Sequence, residues 1–555
     1  MALFRVGNTL GVRGPCRLVP AVWIGVPPCS PGLSHLPQGR RTQQSDQVIA
    51  PASNLTASVE ESTHQSQLER IARNVGFLGV SQVLTWALAL IYAVVVGRAL
   101  GPAGMGALVV GWAIAGIAEG VAGLGSRPLL VKAIVRNRAD GPALIGTAIL
   151  VRVVLLIPCA AGAYAYAKLG RFTDDETLVI LLGMGLALVF LAQEAIQGGL
   201  QAIERMEYLA LTDVMTKALL TFISVPLALI GFQAPWLMGV NIAVLSIGVA
   251  FNLVWIRQIG IDWRPDLRRM AKFVVDSLAY WAFALFYTIY LWIDSALLAL
   301  FAAPQEVGWY GVSTRLFQTL MFLPVILCTA WLPGLATAYR RSPSDLKDMS
   351  ELPILLIGTL AMPIAVGTAL VAGPLVILLY GPSYASAELV LAVLAMTVIP
   401  TYLNIVLSQV MIAADRQAAW TKILVVASIA NPLLNIVLIP FFHARFRNGA
   451  LGAAICMLLT ELIVVVMGAW SARAYLSPSL GGRFLRAALV TVVMAGAVLV
   501  VQRFGPVAQV ATGAVVFLAL AKPAGLIRNA ELAEIDRMAA RVPFWSRIRT
   551  LLPLG

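Results

Sequence analysis

Nine charged side chains interrupt the long apolar runs of this sequence: Glu119, Arg152, Glu194, Asp213, Lys217, Asp276, Asp294, Arg315 and Glu461. Each costs about 2.5–3.5 kcal/mol at the centre of a bilayer, so each needs a partner, a cavity or a route to water. The chemistry open to them is ion pairing, anion binding and coupling to a transported ion. Asp294 lies eight residues before the end of one run and Arg315 eight residues into the next. Both are then roughly 12 Å deep in one hairpin, which predicts that they pair. Asp213 and Lys217, four apart on one helix, read as a local structural pair. Glu119 and Arg152 lie at similar distances from one membrane face, and either pair with each other or line a cavity. Arg152 is also near mid-bilayer, where a planar, permanently charged donor suits a phosphate.

Glu194 and Glu461 have no evident partner, which makes them coupling-ion candidates; the alternative is a protonated carboxyl held by a neighbouring amide, such as Gln193 or Gln197 for Glu194. Asp276 is close enough to the surface to be solvated. Asn241, Asn404, Gln409, Asn431 and Asn435 serve as hydrogen bonds between helices or as edges for a sugar. The histidines His35, His64 and His443 all lie outside the runs, and Cys16, Cys29, Cys159, Cys328 and Cys456 have no Cys-x-x-Cys spacing. No metal site, cofactor or disulfide framework is expected.

The elements that must position these groups are membrane helices. Residues 75–100 carry no charge except Arg98, and a helix of about 26 residues covers the roughly 30 Å hydrocarbon layer. The turn Arg98-Ala-Leu-Gly-Pro-Ala-Gly-Met-Gly106 then breaks it, because Pro102 lacks an amide proton and the glycines tolerate unusual backbone angles. A second run, 107–126, returns to a cluster of Arg127, Lys132, Arg136 and Arg138. Twelve further runs give about fourteen spans. With both termini inside, the inner loops and tail hold 26 Lys and Arg against 6 in the outer loops, an asymmetry that predicts the orientation and a cell-membrane, multi-pass protein.

Composition points the same way, with 59% hydrophobic and 12% charged residues and a mean hydropathy of +0.85. The net charge of +13 is what the positive-inside rule produces, so nucleic acid is not implied as a partner. Residues 1–68, with six prolines before a Ser-, Gln- and Thr-rich tract, read as a disordered extension rather than a signal peptide. Residues 527–555 read as an amphipathic cytoplasmic tail, with Leu532, Ile535, Ala539 and Val542 at helical spacing.

An internal repeat organises the core. Pro102-x-x-x-Gly106 recurs as Pro304-x-x-x-Gly308, Ala202-Ile-Glu204-Arg205 as Ala413-Ala-Asp415-Arg416, and Gly239-x-x-Ile242 as Gly452-x-x-Ile455, at offsets of 202, 211 and 213. Matches at the same topological positions predict an all-α membrane fold of two parallel six-helix lobes, 69–257 and 258–480, with two additional helices in 481–526.

Four motifs, Arg98-Ala-Leu-Gly-Pro-x-x-x-Gly106, Asp294 with Val307-Gly-Trp-Tyr310 and Arg315, Tyr380-Gly-Pro-Ser-Tyr384, and Asn431-Pro-Leu-Leu-Asn435, give the chain a resemblance. It resembles the Wzx-type polysaccharide flippases of the multidrug, oligosaccharidyl-lipid and polysaccharide (MOP) exporter superfamily. The resemblance implies a twelve-helix core plus two, and alternating access that moves a lipid-linked oligosaccharide head group from the cytoplasmic to the outer leaflet. Implied partners are a polyprenyl-diphosphate-linked oligosaccharide, the bilayer, a coupling proton or sodium ion and other polysaccharide-assembly membrane proteins. Arg152, Arg315, Asp294, Glu119, Asn404 and Asn435 are the substrate-cavity candidates, and Glu461 and Glu194 those for the coupling ion. Competing readings are a peptidoglycan-precursor flippase and a cation-coupled multidrug exporter, which would use Glu119, Glu194 and Glu461 as an acidic lumen. A membrane enzyme is disfavoured by outer loops too short to form a domain and by the lack of a histidine within any span.

Overall fold

A computed structural model describes residues 53–526 apart from 171 and 265, and side-chain surroundings from 84 onward except at 258, 279, 329 and 330. The proline-rich stretch before 53 and the expected amphipathic tail lie outside the described residues. The chain divides after Ile71, and what is described before that point is helical. Helix α1 spans Ser53–Ala122. Glu60, Glu61, Gln65, Gln67 and Leu68 are good helix formers.

The remaining helices are α2 (Arg127–Arg136), α3 (Gly141–Leu169), α4 (Asp174–Ala202), α5 (Met206–Ile230), α6 (Ala234–Trp255), α7 (Leu267–Phe301), α8 (Pro304–Leu320), α9 (Phe322–Arg341), α10 (Pro343–Tyr380), α11 (Ala387–Ala413), α12 (Gln417–Phe446), α13 (Gly449–Ala472), α14 (Ser479–Val500) and α15 (Pro506–Ala521). No strand occurs among the described residues. Gly101, at φ +70°, breaks α1 into two arms, a conformation that costs a side-chain-bearing residue energy. Helices α8 and α9 form one span, since Met321 between them keeps right-handed helical angles. Helix starts are fixed locally: Thr173 and Glu176 cap α4 reciprocally, Asp266 accepts from the Arg268 and Arg269 amides, and Ser342 accepts from Asp345.

Twelve helices among the described residues are long and apolar enough to cross a membrane. The expected count of about fourteen differs in two places. The arms of α1 form one helix by that measure, and α15, at 16 residues, is shorter than a full span. Helix α12 shows the membrane pattern plainly: Ser428, Asn431 and Asn435 are buried while Leu433, Ile436 and Val437 are exposed. Polar groups inside and apolar groups outside suit a lipid solvent.

The repeat is visible in packing. Helix α4 packs on α3 and α6, and α5 on α6; in the second half α11 packs on α10 and α13, and α12 on α13. The matched turns share a conformation too. Glu204 and Asp415 are left-handed, at φ 61° and 55°. Arg205 N donates to Leu200 O at 3.1 Å, and Arg416 N to Met411 O at 2.8 Å. The third match shares no packing, since a Cβ on Gly239 would meet nothing within 4 Å whereas one on Gly452 would lie 2.6 Å from Leu438 O. The halves meet along the second arm of α1 and α7, where a Cβ on Gly116 or Gly120 would lie 2.4 Å from Trp292 or 2.5 Å from Thr288. Helices α14 and α15 pack on α10, joined by the Arg483–Glu351 ion pair at 3.6 Å.

Candidate functional site

Three groups of charged residues lie within the helices, and their partners differ from those that depth alone predicts. In the first half, Arg152 on α3 pairs with Glu194 on α4 at 3.1 Å, and their side chains are 1% and 21% exposed. Its guanidinium also donates to Leu191 O at 2.7 Å and to Ser126 Oγ at 3.0 Å. Glu119, half-buried on the second arm of α1, is within electrostatic reach of both members of the pair. The expected lack of a partner for Glu194 is thus corrected, and Arg152 is enclosed by protein. Asp213 is reached by the Gln197 side chain and feels the charge of Lys217, but the expected local ion pair does not close to within 4.0 Å.

In the second half two carboxylates are buried among polar side chains. Asp294 on α7 accepts from Tyr310 Oη on α8 at 2.8 Å and from Asn435 Nδ2 on α12 at 2.6 Å. Asn435 in turn donates to Asn431 Oδ1 at 3.0 Å. Glu461 on α13 accepts from Asn404 Nδ2 on α11 at 2.5 Å and from Tyr290 Oη, one helical turn before Asp294. The Oδ1 atoms of Asn404 and Asn435 are buried without a hydrogen-bond partner. These side chains gather anionic and neutral oxygens of a kind that hold a proton or a small hard cation.

The predicted Asp294–Arg315 pair is not formed, and helix geometry explains it. Tyr310 faces Asp294, and Arg315 is five residues further along α8, about 140° around the helix. It therefore points towards the first half, with its guanidinium 5.0 Å from the centre of the Trp112 ring. That distance suits a cation–π contact. Tyr92, Tyr380 and Lys217 are within electrostatic range of it, and Gln318 Oε1 accepts from it at 3.4 Å. Among the described residues, neither Arg315 nor Lys217 has a carboxylate oxygen within 4.0 Å. Two cations at the boundary between the halves, walled by aromatic rings, can receive an anion.

Asp276 is exposed, as expected for a solvated position. Asn404 and Asn435 hold carboxylates, and Asn241 donates to Tyr92 Oη at 3.3 Å. Sequence reasoning passed over Trp112, Ser126 and Tyr290. Tyr290 had a usable signal, since it lies four residues before Asp294 and so on the same helix face.

Residues 71–338 match the family model described as polysaccharide biosynthesis protein. No curated protein matches the chain in sequence. Among solved structures, the lipid II flippase MurJ in an inward closed conformation superposes with a TM-score of 0.66 at 12% identity, covering 84% of this chain and 99% of that one. A multidrug resistance MATE family transporter of the MOP superfamily, in an inward-facing conformation, superposes with a TM-score of 0.60 at 14% identity, covering 72% and 97%. Residues 71–338 are thus similar to the polysaccharide biosynthesis proteins, and the chain shares the fold of these two transporter structures.

Proposed function

We propose that this protein is a transporter that moves a lipid-linked oligosaccharide from the cytoplasmic to the outer leaflet by alternating exposure of the space between two lobes, 69–257 and 258–480. The observation that carries the reading is the cationic boundary, with Arg315 seated on Trp112 near Lys217 and neither side chain within 4.0 Å of a carboxylate oxygen among the described residues. Arg315 is half-buried, and the cost of holding its charge without an ion-pair partner is offset when a diphosphate enters beside it and Lys217. Aromatic walls from Tyr92, Trp112 and Tyr380 suit sugar rings or an isoprenoid stem. The buried carboxylates of Asp294 and Glu461 are the proposed coupling site for a proton or a sodium ion, because their oxygens lie away from the cationic boundary and can change occupancy independently. The family match over 71–338 supports the substrate class.

The half-buried Glu119 beside Glu194 favours a second reading, export of an organic cation. Deleting the protein separates the two. The proposal predicts that lipid-linked oligosaccharide accumulates in the inner leaflet and a surface polysaccharide is lost. Sensitivity to cationic drugs with unchanged polysaccharide would replace it with the exporter reading.

A further inference from the structure

The two Pro-x-x-x-Gly turns of the repeat touch each other, and they do so reciprocally. A Cβ added to Gly106 would lie 2.1 Å from Pro304 O, and one added to Gly308 would lie 1.9 Å from Pro102 O. Each turn thus presses its glycine onto the carbonyl that opens the other. The contact continues one turn deeper, where a Cβ on Gly311 would lie 2.4 Å from Val109. Beside it, Tyr384 Oη donates to Gly97 O at 2.6 Å, and Gly97 backs onto the Tyr380 ring with only 3.1 Å to spare for a Cβ. The second-half turn is held rigidly from behind. Glu306, buried between Pro304 and Gly308, accepts from the Gly449 amide and from His443 Nδ1, the latter at 2.7 Å. Glu306 thereby ties the turn to α12 and α13.

Resting on the alternating exposure proposed above, we propose that this two-fold glycine–carbonyl contact, with Tyr384 as its side bolt, is a latch that closes the protein at the Gly101 face and must part for the space between the halves to open there. Reciprocity makes it cooperative. Once one glycine is displaced from its carbonyl, the other contact is lost with it.

The test uses the full chain in membranes, with its five cysteines replaced and a single probe at Val109→Cys. Labelling by a membrane-impermeant maleimide added from the Gly101 face is the readout. Gly106→Ala and Gly308→Ala should each raise the labelling rate at least tenfold. The pair together should add little to either alone, as expected for one coupled contact. Tyr384→Phe removes a single hydroxyl and keeps the protein folded if the alanines do not; it should raise the rate about threefold to tenfold. Gly162→Ala, where a Cβ meets nothing within 4 Å, should leave it unchanged. Unchanged labelling in the folded latch variants, additive increases in the pair, or an equal rise in Gly162→Ala would each overturn the latch.

Discussion

Removing one member of the Arg152–Glu194 pair should reveal how unequal its two halves are. Breaking a buried pair from one side costs about 3–5 kcal/mol, because the remaining charge is left uncompensated. Arg152 is 1% exposed and Glu194 21%, so a stranded arginine has less recourse to water than a stranded glutamate. Glu194→Leu leaves the guanidinium with the neutral acceptors Leu191 O and Ser126 Oγ and the more distant charge of Glu119, and should cost about 4 kcal/mol. Arg152→Leu should cost about 3 kcal/mol, since the glutamate can still reach solvent. The double variant buries two apolar side chains and strands no charge, so its cost should be smaller than that of either single variant, which is the signature of coupling. Unfolding in mixed micelles, followed by tryptophan fluorescence as detergent composition is changed, reads all four proteins. Additive costs would refute the pairing, and a larger loss in Arg152→Leu than in Glu194→Leu would refute the burial argument.

At the cationic boundary, Arg315→Lys should keep partial transport, because charge survives without the planar fork. Arg315→Ala should lose at least 90% of transport, about 1.4 kcal/mol of interaction or more, at unchanged protein level in the membrane. At the buried carboxylates, Glu461→Gln should remove the response of transport to an imposed ion gradient while binding of the glycan lipid is retained, measured by equilibrium binding in detergent. Cysteines at Arg138 and Arg341 should react with impermeant thiol reagents only when the basic face is exposed, and one at Thr173 from the opposite side. Labelling of the Arg138 position in intact cells would reverse the orientation.

The repeat was legible because its marks are local. A Pro-x-x-x-Gly turn and a left-handed acidic residue before arginine carry their conformation wherever they occur, and Glu204 and Asp415 share it. Span positions were legible from apolar length. Partner choice was not, because depth along a hairpin gives height and leaves the direction around the helix open. Asp294 and Arg315 share a depth, but α8 turns about 140° between Tyr310 and Arg315, so the carboxylate meets a tyrosine and the arginine meets Trp112. Glu194 was unreadable for a similar reason: which of two acids meets Arg152 depends on how α3 and α4 are rotated against each other. Residues 127–138 were legible only as a cluster of positive charges, although Leu130 and Ile134, four apart and buried, alternate with Lys132 and Arg136 in α2.

The most direct measurement is translocation by the purified full chain in vesicles loaded with a fluorescent polyprenyl-diphosphate-linked oligosaccharide, read by an impermeant quencher or glycosidase. The account predicts protein-dependent movement between leaflets that is lost in Arg315→Ala and survives, at a reduced rate, in Arg315→Lys. Efflux of an organic cation by vesicles that leave the glycan lipid in place would contradict it.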